Sequence, residues 1–218
     1  MSTREINKQR RRERILAVAR RTLAEGGYRA LNVRALAKDA GVTQPTLYNL
    51  IGNKDRIIHT LVVQMLDTLE QRLEALLCDV PADPLPQLEA VAVLTTELFG
   101  EDESFYRGAF VAAEFAEDQA MFWAPESGIV RRALAFPIHA FHSATTAGLM
   151  RGQVAHEVLI QQIFLGYRTA LRDWAIRLIT LEQYRVSTLR SFYCGMAADA
   201  VDSLRDELMA RLVALPLR

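Results

Sequence analysis

The sequence predicts an all-α protein in two parts, and three observations carry that prediction. Apolar residues recur on a 3.6-residue beat over long stretches, no stretch alternates with period two long enough to be a strand, and residues 41–54 spell a turn, a very short helix and a second turn. The expected division is a three-helix, helix-turn-helix head over residues 1–53 and a larger helical body over residues 54–218.

Residues 1–9 are polar and charged and suit an arm or a frayed helix start. From about Arg10 to Ala24, Ile15, Leu16, Ala19 and Leu23 form one stripe while arginines crowd the other surfaces, and Gly26-Gly27 stops the helix. A second short helix starts after Asn32, a good cap, with Leu36, Ala37 and Ala40 on one side. Gly41 can adopt the left-handed conformation that closes it. Thr43 caps a third helix with Pro45 in its first turn, where a missing N–H costs nothing. Leu47, Leu50 and Ile51 then fall on a buried stripe, whereas Gln44, Thr46, Tyr48 and Asn49 make a polar face free of acids.

Two short helices joined by a tight glycine turn make a helix-turn-helix, whose second helix enters the major groove of DNA. The run Gly41-Val42-Thr43-Gln44-Pro45-Thr46-Leu47-Tyr48 followed by Asn53-Lys54-Asp55 resembles the recognition signature of the tetracycline-repressor (TetR) family of bacterial regulators, and Ile15 to Glu25 with Gly27 resembles that family's first helix. About 50 of the 218 residues carry the likeness. Many relatives have an aromatic or histidine after the tyrosine and a phenylalanine before the second turn, where this chain has Asn49, Leu50 and Ile51. That departure bears on base preference and leaves the fold untouched.

The resemblance, with the exposed-face argument, places Gln44 and Thr46 near base edges, Pro45 against a thymine methyl, and Tyr48 and Lys54 on phosphates. Asn49 could do either, and Arg34 and Thr43 add contacts from the helix before and from the cap. Charge agrees with this. The formal net charge is zero, yet residues 1–60 carry +8 and the remainder −8, so the first quarter is a basic module suited to neutralising phosphates.

The body begins with a helix from about Asn53 to Cys78, roughly 40 Å long at 1.5 Å per residue. Residues 80–86, with three prolines, end it. Helices are then expected over 87–99, 103–122 and 127–150, the last kinked near Pro137, and over 155–179 and 181–213, with Thr180 and Gln183 at capping-box spacing. The last two have near-heptad apolar stripes, and Gly166, Ala170, Gly195, Ala197 and Ala198 permit close helix approach. They suit either pairing of two copies or the chain's own core, and the resemblance implies a homodimer through them.

The middle helices hold most of the aromatics. TetR-like proteins release DNA when a small ligand changes the spacing of their two reading heads, so the resemblance implies an unknown small-molecule effector. Phe105, Tyr106, Phe110, Phe115, Phe141, Phe164, Tyr167 and Trp174 are the candidates to line its pocket, with plain core packing as the other reading of each. The head is thus expected to be a DNA-binding domain and the body a ligand-binding and dimerisation domain.

Other chemistry finds little support. His139 and His142 sit at i and i+3 without a nearby carboxylate or thiol in sequence, so no metal or cofactor is expected. Glu114, Glu117 and Asp118 read as a solvated face. No phosphate loop, nucleophile elbow or Cys/His pair is present, and no enzymatic activity is expected. Cys78 and Cys194 read as reduced, packed thiols. With no apolar run long enough for a membrane span and no signal peptide, a cytoplasmic location is expected. The resulting expectation is a repressor of a palindromic operator, relieved by an apolar or aromatic ligand. The alternatives are a helix-turn-helix regulator without an inducer, or a ligand-binding helical protein whose basic head is incidental.

Overall fold

A computed structural model describes residues 2–77 and 83–216. Among the described residues the secondary structure is helical, apart from an isolated bridge between Met150 and Ala200. The helices are α1 (Thr3–Ala30), α2 (Val33–Asp39), α3 (Gln44–Leu50), α4 (Lys54–Leu77), α5 (Pro84–Glu101), α6 (Glu103–Glu114), α7 (Ala120–Trp123), α8 (Gly128–Thr146), α9 (His156–Ala175), α10 (Leu181–Ala197) and α11 (Asp202–Ala214). Cys78 and residues 80–82 of the expected proline break lie outside the described residues.

Two compact units emerge. The first joins residues 1–66 to residues 102–130, and the second joins 67–101 to 131–218. In the first, α1 packs on α2, α3 and α6. Ile15, Leu16, Ala19 and Leu23 of α1 are buried, as the stripe predicts, together with Leu36, Ala37 and Leu47. Gly108 of α6 faces α1 so closely that an added Cβ would stand 2.5 Å from the Leu23 carbonyl oxygen. In the second unit α10 is central, packed against α5, α9 and α11.

Several element ends differ from the sequence expectation, each for a physical reason. The first helix starts at Thr3, seven residues before the first expected one, because Ser2 caps it through the Glu5 N–H. The expected stop is present as Gly27 at φ 63°, a left-handed residue inside the assigned span. α5 begins at Pro84, since Pro84 and Pro86 occupy a first turn that has no intrahelical N–H bonds to lose. Pro137 lies within α8 without ending it.

The expected helix over 103–122 is instead α6 and α7, separated at 115–119. The Tyr28 hydroxyl donates to the Phe115 carbonyl at 3.0 Å, and the buried Asp55 carboxylate accepts the Asp118 N–H at 3.0 Å. These bonds take backbone groups that would otherwise continue the helix.

The expected helix over 181–213 breaks in the same way at 198–201. Asp199 is 1% exposed, and its carboxylate accepts the N–H groups of Gly152, Gln153 and Val154 at 2.8, 2.9 and 3.2 Å. The Arg151 N–H also donates to the Asp199 carbonyl, and that of Val201 to the Leu149 carbonyl. A reverse turn is therefore pinned between α8 and α9 and between α10 and α11. The Thr180–Gln183 capping box is present.

The α9 and α10 stripes divide. Leu171, Trp174, Leu189, Tyr193, Met196, Leu204 and Leu208 are buried within the single chain. Gly166 and Gly195 serve the same packing, since a Cβ at either would collide with Ser191 or Ile163 respectively. Cys194 is exposed, not packed, on the side of α10 where Ala198 is exposed as well.

Candidate nucleic-acid interface

The head is built by local capping. Asn32 accepts the N–H groups of Arg34 and Ala35 at 2.9 and 3.2 Å, which starts α2 and leaves the Arg34 side chain exposed. Gly41 at φ 64° turns the chain, and the Val42 N–H closes back on the Ala37 carbonyl at 2.9 Å. Thr43 then caps α3 by accepting the Thr46 N–H at 3.3 Å, while the Thr43 and Thr46 hydroxyls bond each other at 2.8 Å.

Leu47 is fully buried and Leu50 and Ile51 half-buried, which fixes the rotation of α3. Thr43, Gln44, Pro45, Tyr48 and Asn49 are consequently exposed, and Thr46 is half-buried. The outward face therefore offers amide, hydroxyl, phenol and one apolar ring, without a carboxylate to repel phosphate. These are the donor and acceptor types that meet base edges and backbone oxygens in a major groove.

Gly52, at φ 119°, and Asn53 follow. The Asn53 side chain accepts the Arg56 N–H at 3.0 Å, so Asn53 caps α4 and Lys54 is its first residue. Lys54 donates to the Tyr28 carbonyl at 3.0 Å and stands over the Tyr28 ring, 3.4 Å from its centroid. Burial holds its ammonium below the ordinary lysine range, against the opposing pull of the Asp55 and Glu117 carboxylates. With three donor hydrogens, an ammonium placed there still has capacity for a phosphate oxygen.

Residues that the sequence reasoning did not assign to the interface help to hold it. Arg12 of α1 donates to the Leu50 carbonyl at the end of α3, at 3.2 Å. Tyr28 orients Lys54 and stacks on Phe115, with centroids 5.9 Å apart. The signal for Arg12 was its place on the Ile15–Ala19 stripe; none marked Tyr28, whose partner is 87 residues away.

The aromatic candidates fall into two groups. Phe105, Tyr106, Phe110 and Phe115 belong to the first unit. There the Phe105 and Tyr106 rings are 5.0 Å apart, and the Arg20 guanidinium lies 4.1 Å from the Phe105 centroid while it pairs with Asp102. Phe110 is buried, but Phe115 is 65% exposed, which removes it as an enclosed lining residue. Phe141, Phe164, Tyr167 and Trp174 belong to the second unit. Trp174 stacks on Phe99 at 4.8 Å, and Tyr184 lies 5.9 Å from Trp174 and 6.2 Å from Tyr167. Phe141 is buried beside His156, and Phe164 is half-buried. Phe99 and Tyr184 complete this aromatic cluster and were not among the candidates.

His139 faces the Gln87 amide at 3.3 Å, and among the described residues no group of three or more His, Cys, Asp or Glu side chains could hold a metal ion. No described helix is long and apolar enough to cross a membrane.

A basic head whose capped, acid-free helix faces outward across a glycine turn defines a helix-turn-helix DNA-binding protein. Residues 15–61 match the profile of the bacterial regulatory proteins of the tetR family. The chain is 25% identical over 121 residues to the HTH-type transcriptional regulator EthR of Mycolicibacterium smegmatis, an alignment covering 56% of this chain and 54% of EthR. It thus spans about half the length of that relative.

Among solved structures, SmeT, the repressor of the Stenotrophomonas maltophilia multidrug efflux pump SmeDEF, superposes with a TM-score of 0.66 at 21% identity, covering 88% of this chain and 92% of SmeT. A TetR transcriptional regulator from a Rhodococcus species gives a TM-score of 0.60 at 17% identity, over 87% and 97% of the two chains. The chain is thus similar to TetR-family transcriptional regulators, in sequence over residues 15–61 and in fold over most of its length.

Proposed function

We propose that this regulator is a homodimeric repressor that binds a near-palindromic operator and leaves it when a small apolar or aromatic molecule binds. The observation that carries the DNA half is the outward face of α3, from Gln44 to Asn49, held in one orientation by the Thr43 cap and the buried Leu47. Gln44 and Thr46 read base edges, Pro45 meets a thymine methyl, and Tyr48 and Lys54 hold phosphates. Arg34 and Thr43 add backbone contacts, and Asn49 takes either role. The head over residues 1–53 is the DNA-binding domain and residues 54–218 form the ligand-binding and dimerisation domain.

Pairing is supported by what α9 and α10 leave exposed. Val158 and Leu165 are 49% and 46% exposed and share one side of α9 with Gln162 and Thr169. One α3 covers only a few base pairs, so two heads are needed for a useful specificity ratio. The ligand half is supported by the Phe99–Trp174–Tyr184–Tyr167 cluster and by the likeness to SmeT, the repressor of a multidrug efflux pump. No residue is assigned a catalytic role, and a DNA partner places the protein in the cytoplasm.

The test is selection of bound fragments from randomised duplexes, followed by anisotropy titrations of the selected duplex. Lys54→Ala should weaken binding to all sequences alike and flatten the salt slope by about one unit, whereas Gln44→Ala should change the preferred bases. Wild-type affinity and preference in both variants would overturn the assignment of the reading head.

A further inference from the structure

We propose that the first three turns of α1 form a second DNA-contacting element, a rigid basic arm that follows the sugar-phosphate backbone beyond the base pairs read by α3. This rests on the head being the DNA-binding module. The packed stripe of α1 begins at Ile15, yet the helix begins at Thr3, so residues 3–14 project past the last buried side chain. Counting back from Ile15 in helical steps of three, four, seven and eleven residues reaches Arg12, Arg11, Lys8 and Arg4. The side of α1 that meets apolar core further along thus carries cations here, where a protein neighbour would require apolar groups.

Arg12 fixes the direction of this side. Its guanidinium donates to the Leu50 carbonyl at the C-terminal end of α3, so the cationic stripe starts beside the recognition helix and runs outward from it. Arg4, Lys8 and Arg11 are exposed, and among the described residues none of them forms an ion pair. The two acids on the arm are engaged differently. Glu5 lies in the first turn, complementing the positive end of the helix dipole, and Glu13 accepts from the Gln9 amide at 2.9 Å.

Geometry matches the occupant. The eight residue-to-residue steps of helix from Arg4 to Arg12 span about 12 Å, which corresponds to about three or four base pairs of duplex. A helical arm loses less freedom on binding than an unstructured one, so its cations arrive pre-positioned.

The experiment compares the full chain with the triple variant Arg4→Gln, Lys8→Gln, Arg11→Gln, and with the charge-preserving pair Arg4→Lys, Arg11→Lys, on a duplex selected by the wild type. The triple variant should bind on the order of ten- to a hundredfold more weakly at about 0.1 M salt, with a salt slope shallower by roughly two to three units per head. Its base preference should be unchanged, and the lysine pair should keep the wild-type slope. Trimming the duplex by about four base pairs per flank should weaken the wild type and leave the triple variant unaffected.

A triple variant with the wild-type slope and the same response to trimming would overturn the arm and leave the α3 reading standing. A wild-type chain that binds no duplex at low salt would overturn both. Loss of binding to anionic lipid vesicles in the triple variant, with DNA titrations unchanged, would assign the arm to a membrane surface and overturn the proposal.

Discussion

The Lys54 ammonium sits 3.4 Å from the centroid of the Tyr28 ring and donates to the Tyr28 carbonyl at 3.0 Å. Tyr28 thereby links the start of α4 to the corner after Gly27, while its hydroxyl donates to the Phe115 carbonyl and its ring stacks on Phe115. Tyr28→Phe removes only the hydroxyl bond and should cost about 1 kcal/mol in urea denaturation. Tyr28→Ala also removes the stack and the cation–π contact and should cost about 2–3 kcal/mol. Equal losses in the two variants would show that the ring contributes nothing.

The approach of α6 to α1 gives a paired glycine prediction. At Gly108 an added Cβ meets the Leu23 carbonyl oxygen at 2.5 Å and its carbon at 3.1 Å, and a backbone neighbour cannot rotate away. Gly108→Ala should therefore destabilise by about 1–3 kcal/mol. At Gly100 the nearest atom is a Leu181 methyl at 3.6 Å, an ordinary contact. Gly100→Ala should be neutral or stabilising by up to about 1 kcal/mol, because it restricts the unfolded chain. A reversed order of thermal midpoints would contradict the packing described for α1 and α6.

What the sequence made legible was local. Asn32, Thr43, Gly41 and the Thr180–Gln183 box act within four residues, and each appears as its residue type predicts. The outward face of α3 was legible for the same reason, since rotation follows from Leu47 and its neighbours. The end of α6 was not, because it depends on Tyr28 and Asp55, 87 and 63 residues from their partners. The break before α11 likewise depends on Asp199 holding amides 45–47 residues away. No propensity in the sequences Phe115–Gln119 or Ala198–Val201 announces a stop. Aromatic content was legible too, but periodicity could not separate exposed Phe115 from buried Phe110.

His59 makes stability depend on pH. Its ring meets Phe122 edge-on at 6.0 Å, and burial, helped by the neighbouring Arg56 charge, holds its pKa below the ordinary 6.5. Below that ordinary value the unfolded chain takes up a proton that the folded imidazole refuses, so acid favours unfolding until the lowered folded pKa is also passed. This contribution to stability is complete above about pH 6.5 and shrinks as the solution is acidified. The drop in urea midpoint from about pH 7.5 to about 5.5 should be smaller in His59→Gln than in wild type. An identical drop would remove His59 as its source.

Asp199 and Asp202 lie three residues apart and should respond to mutation very differently. The Asp199 carboxylate is buried and accepts three backbone N–H groups, so Asp199→Asn loses the charge and turns an amide hydrogen toward donors that need an acceptor. The loss should be about 2–4 kcal/mol, with faster amide exchange at Gly152, Gln153 and Val154. Asp202 pairs with Arg151 at the surface, its side chain 89% exposed, and Asp202→Asn should cost less than about 1 kcal/mol. Both changes alter charge by the same amount on the same turn, so long-range electrostatics would predict equal effects. Equal unfolding free energies for the two variants would mean that net charge, and not the three-amide clamp, holds the junction before α11.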